Sequence, residues 1–146
     1  MSVYTPIIQG IYTALPAAVR NSSQTIIGRT LIDPRAGDPI FGTAINPEAS
    51  GIIAYLNITA APGSETLTLI LDEQDPVSGA WSSVASTSGT TVTGMVKLKL
   101  KQAIAAVAAS GTGVQVQDTL PPIWRVRVAH SAGSNWTYSL GIVLYA

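Results

Sequence analysis

His130 is the single histidine of a 146-residue chain, and a lone imidazole is the first place to look for acid–base chemistry. A serine nucleophile would need that imidazole as its base and a carboxylate behind it. No Gly-x-Ser-x-Gly elbow raises such a serine, so His130 reads as a hydrogen-bonding residue at a strand end. Asp72, Glu73 and Asp75 stand together before Pro76 and could offer oxygens to calcium. They lack the alternating ligands and closing glutamate of an EF-hand loop, and read as a solvated hairpin end. Asp72 and Glu73 do not make a hydrolase pair either, because neighbours on a strand point to opposite faces. Glu65 and Asp118 lie far off in sequence. The absence of cysteine excludes thiolate metal sites, and one histidine cannot build the multi-His sites zinc prefers. Gly111-Thr112-Gly113 is followed by neither Lys-Ser/Thr nor a helix, so it is no phosphate cradle. The expectation is a protein without catalytic residues, metal or cofactor.

The cations carry the remaining chemistry. Lys97, Lys99 and Lys101 alternate along one strand face, and Arg125 and Arg127 along another. If these strands paired, five cations would form one patch that nucleic acid could use. Eight basic and eight acidic residues cancel, however, whereas backbone recognition shows itself as a basic domain. Trp124, Trp136 and Tyr138 fall on the apolar face, away from any base-stacking role. The lysines read as an outward polar face that discourages edge pairing, and no nucleic-acid partner is expected.

Composition sets the frame for these residues. Hydrophobic residues make up 47% of the chain and charged residues 11%, against about 25% charged in an average domain. Disordered chains show the opposite balance. Interface cores are depleted of charge in this way, and zero net charge favours self-association, so the composition suits an assembly component. No run of about 18 apolar residues crosses a membrane as a helix. The start, Met1-Ser2-Val3-Tyr4-Thr5-Pro6, has no signal-peptide pattern, so synthesis in a cytoplasm without processing is expected.

Strands are the elements that position these side chains. Leu67, Leu69 and Leu71 share a face at period two, as do Val96, Leu98 and Leu100. Trp124, Val126 and Val128 do the same, and so do Trp136, Tyr138, Leu140, Ile142 and Leu144. Strands are also read at Ile52–Ala60, Trp81–Ser86 and Thr90–Thr93. Asp75-Pro76-Val77-Ser78-Gly79 makes a turn, and Ser131–Ser134 is read as the turn of a hairpin. Ala-rich Gln102–Ala109 reads as a helical turn or loop. About seven strands and no firm helix give an all-β fold, an antiparallel β-sandwich or barrel-like domain over residues 49–146. Residues 1–48 carry five of the nine prolines. They read as an extended N-terminal arm or as the first strands of the same domain, with Ile7-Ile8, Ile26-Ile27 and Leu31-Ile32 as short apolar runs. Tyr4, Ile7, Ile8, Ile11 and Tyr12 on this segment are the candidate contacts with another subunit or a lattice, by β-augmentation. Trp81, beside a turn, is the one tryptophan placed to stack on a sugar, which leaves a carbohydrate-binding β-sandwich as an alternative.

A longer pattern runs through residues 66–146. It comprises an alternating Thr/Leu strand, Asp75-Pro76-x-Ser78-Gly79-x-Trp81, Thr93-Gly94, Leu120-Pro121-x-x-Trp124-Arg125-Val126-x-Val128-x-His130, and Thr137-Tyr138-Ser139-x-Gly141. This pattern resembles a group of small virion proteins of tailed bacteriophages, often encoded beside the capsid genes. The resemblance implies a β-sandwich-like virion structural protein, of the capsid decoration or cement type. It implies a place on the capsid surface, the major capsid protein or other virion proteins as partners, and a homo-oligomer with a trimer favoured. A tail, fibre or head-completion protein is the neighbouring alternative. The resemblance brings no catalytic residues.

Overall fold

A computed structural model describes residues 8–29 and 49–145. Ten strands run through them: β1 (Ile8–Arg20), β2 (Gln24–Arg29), β3 (Gly51–Ala60), β4 (Leu67–Gln74), β5 (Trp81–Ser86), β6 (Gly94–Lys101), β7 (Val107–Ser110), β8 (Gly113–Gln117), β9 (Ile123–His130) and β10 (Trp136–Tyr145). They form a six-stranded sheet in the order β1-β10-β3-β6-β8-β7 and a four-stranded sheet in the order β2-β9-β4-β5. The fold is all-β and sandwich-like, with no helix among the described residues.

Period-two alternation explains why two sheets enclose one core. In β10, every second residue from Trp136 to Leu144 is buried and the intervening ones are only partly covered. Ile52, Ala54, Leu56 and Ile58 of β3 and Val96, Leu98 and Leu100 of β6 join that inner face. Across from them lie Leu67, Leu69 and Leu71 of β4 and Trp124, Val126 and Val128 of β9. Burying each such side chain is worth about 1.5–3 kcal/mol, so the two faces hold each other. Gly28 of β2 sits opposite Trp124 in register, and the indole occupies the space a Cβ would take.

Several expectations change here. β9 and β10 are not a hairpin, because they lie in different sheets. Residues 131–135 arch from one sheet to the other, so their apolar faces meet across the core instead of lying side by side. For the same reason Lys97, Lys99 and Lys101 do not join Arg125 and Arg127: the two groups belong to strands of different sheets. Thr90 makes only an isolated bridge to Leu67, and the strand begins at Gly94. Within Gln102–Ala109, the alanine-rich stretch ends in β7, since backbone pairing with β8 overrides helix propensity. The pairing is not wholly antiparallel, because β8 runs parallel to β6.

Residues 8–29 supply an edge strand to each sheet, β1 beside β10 and β2 beside β9. Tyr12, Ala14 and Leu15 pack against the core from β1, and Ile26 from β2. Leu31-Ile32 lies outside the described residues.

Candidate functional site

β1 is thirteen residues long and, among the described residues, forms one edge of the six-stranded sheet. From Ile8 to Val19 it carries no charge. Exposed edges of that kind leave backbone donors and acceptors unpaired, and proteins usually guard them with charge, proline or bulges. Here the guards are Pro16 and three register shifts against β10. Ile11 is 73% exposed and Val19 63%. Of the candidate contact residues, Tyr4 and Ile7 lie outside the described residues. Ile8 opens β1 opposite Tyr145, Ile11 stands out from the sheet, and Tyr12 is turned partly into the core.

The outer face of the same sheet carries the three lysines. Lys97 and Lys99 pair in register with Tyr55 and Ile53 of β3. Ile53 is only 6% exposed although it faces outward. The Lys97 ammonium lies 5.9 Å from the Tyr55 ring centroid, and that of Lys101 lies 4.2 Å from Tyr145. Such contacts hold a cation in place at little desolvation. A depression of about 260 Å³ opens beside this row, lined among others by Lys97, Lys99, Ser110, Thr112 and Gln115.

The four-stranded sheet handles its charges differently. Asp72 is not a solvated carboxylate: it is buried, and Arg125 Nε and Arg127 Nε each donate to its Oδ2 at 2.6 Å. Burial by itself raises the Asp72 pKa, but hydrogen bonds and charge from Arg127 and Arg125 outweigh it and hold the carboxyl below its usual range. Trp81 closes the β4–β5 hairpin opposite Gln74, and the Arg125 guanidinium lies 4.4 Å from its ring centroid. Glu73 is exposed. Asp75 stays in the turn, where its carboxylate accepts from the Val77 N–H and the Ser78 hydroxyl. No group of three or more His, Asp or Glu residues able to hold a metal occurs among the described residues.

His130 belongs to a cluster that ties one end of the sandwich together. Its Nε2 lies 2.8 Å from the Tyr138 hydroxyl, and its backbone N–H donates to Ser23 Oγ. Burial pushes the imidazole pKa down and the Tyr138 phenol up to about 12. Arg20 donates to the Tyr138 carbonyl at 2.6 Å and covers the tyrosine ring. The Glu65 carboxylate accepts the Ser134 N–H. These bonds join the β1–β2 turn, the β3–β4 loop and the β9–β10 arch. The histidine's ring partner is therefore a tyrosine hydroxyl.

The bond from Asp72 to both arginines escapes the sequence because it spans 53 and 55 residues. Only knowledge that β4 pairs with β9 brings the three together. The tyrosines under the lysines escape it for the same reason.

No family model matches the chain, and no curated protein matches it in sequence. Among solved structures, it is similar to the crystal structure of Yersinia pseudotuberculosis-derived mitogen (YPM), with a TM-score of 0.45 and 16% identity over 94% of this chain and 86% of that one.

Proposed function

We propose that this chain is a non-enzymatic structural protein that works by pairing with other protein chains, as a capsid decoration protein on the outside of a phage particle. The observation that carries the binding reading is β1, a long edge strand uncharged from Ile8 to Val19, with Ile11 and Val19 exposed. Adding such an edge to a neighbour's sheet joins many main-chain hydrogen bonds to apolar contact without any pocket. The low charge of the whole chain supports the same reading, and the phage-like pattern of residues 66–146 supplies the capsid as partner. Self-pairing into a homo-oligomer, a trimer in the decoration reading, belongs to this proposal.

The sugar-binding alternative rests on Trp81, the one tryptophan outside the fully buried core, and Arg125 already covers that ring. The test is co-sedimentation with empty capsids of the virus that encodes the chain. Binding of the native protein, lost in an Ile11→Lys/Val19→Lys variant that keeps its fold, supports the proposal. Binding to purified tails and not to heads would move the protein to the tail, and binding to neither would refute it.

A further inference from the structure

We infer that the outer face of the six-stranded sheet binds an extended, carboxylate-bearing segment of a partner protein, laid along β6 over Lys97, Lys99 and Lys101. This deepens the structural reading and rests on it for the existence of a protein partner.

No strand of the six-stranded sheet contains an aspartate or glutamate. The ion pairs found among the described residues join Asp72 to Arg125 and Arg127, in the other sheet. The lysines therefore form a cationic row with no carboxylate of their own sheet to neutralise it. The neutral net charge does not show this: of the eight acids, the five among the described residues, Glu65, Asp72, Glu73, Asp75 and Asp118, lie on the other sheet or in loops, and Asp33, Asp38 and Glu48 fall outside the described residues. Alternate residues of a strand repeat at about 6.6 Å. Carboxylates at alternate positions of an extended partner segment repeat at the same interval, so the two rows match without distortion. The Tyr145 ring at 4.2 Å restrains the Lys101 ammonium, and the Tyr55 ring at 5.9 Å lies at the limit of contact with that of Lys97, which lowers the ordering cost of binding. Beside Lys97 and Lys99, the depression that also holds the Ser110 and Thr112 hydroxyls offers a seat for one carboxylate. Three cations on a neutral chain are too few for a nucleic-acid footprint, and the nearby aromatic rings already carry lysines.

The experiment uses the full chain and a labelled synthetic peptide with glutamate at alternate positions, beside the same peptide with glutamine. Fluorescence anisotropy at low salt should show binding of the glutamate peptide only. Lys97→Gln/Lys99→Gln/Lys101→Gln should weaken it by about tenfold, as three exposed ion pairs of ordinary strength would. Raising the salt should weaken binding to the unaltered protein similarly, which covers the case of a triple variant that fails to fold. Equal binding of the glutamine peptide, or no effect of the triple change in a folded variant, overturns the inference. So does tighter binding of single-stranded DNA than of the peptide, or a triple variant that loses self-association when no peptide binding is seen. The Ile11→Lys/Val19→Lys variant should keep peptide binding. Peptide binding with no capsid binding by the native chain would therefore sink the capsid reading and leave this surface standing.

Discussion

The surroundings of Asp72 and of His130 lower the pKa of each, and both make stability depend on pH. The Asp72 pKa is lowered in the folded state. Its contribution is therefore fully present above the ordinary carboxylate value, near pH 4, and is lost as the pH falls through the lowered folded value. Asp72→Asn should reduce stability by about 1–3 kcal/mol and flatten the acid limb of a urea-denaturation series. The His130 pKa is also lowered, by burial first and then Arg20, against Glu65. Stability that rests on the neutral imidazole is present above about pH 6.5 and disappears as the pH drops through the folded value. In His130→Gln, melting temperatures between about pH 6.5 and pH 5 should vary less than in the native protein. An unchanged slope would show that the imidazole is hydrated and not desolvated.

Strand β2 offers the cleanest test of an element, because Gly28 yields its Cβ space to the Trp124 indole. Gly28→Ala should cost about 1–3 kcal/mol through overpacking, read as a lower urea midpoint with the same denaturant slope. How much of this fold was legible follows from particular strands. Leu67-x-Leu69-x-Leu71 and Trp136 to Leu144 announce their buried faces, since alternation depends only on the pleat. The pleat says which face is buried but not which strand lies alongside, so the arch between β9 and β10 reads as a hairpin. β1 hides because its register shifts and Pro16 break the alternation. β7 hides because all four of its residues are exposed, which leaves no pattern to find. The surface residues were legible as types only: the lysines share a face as expected, while Tyr55, Tyr145 and the partners of Asp72 depend on register.

On the scale of the whole molecule, the described residues form one sheet whose strands carry cations and no carboxylate, and a second in which Asp72 holds Arg125 and Arg127. β1, uncharged from Ile8 to Val19, is the edge strand of the cation-bearing sheet among the described residues. Two copies joined β1 to β1 close a dimer about a two-fold axis, while a trimer requires β1 to meet a different edge of its neighbour. Whether β1 is a pairing edge is read from solution mass by light scattering across a dilution series, on the native protein and on Ile11→Lys/Val19→Lys. Both substitutions fall on exposed positions, so the variant should keep its fold and melt in a single cooperative transition. The native chain should be a closed oligomer and the variant a monomer. A native monomer at every concentration, or an oligomer that the two lysines leave intact, would contradict pairing through β1.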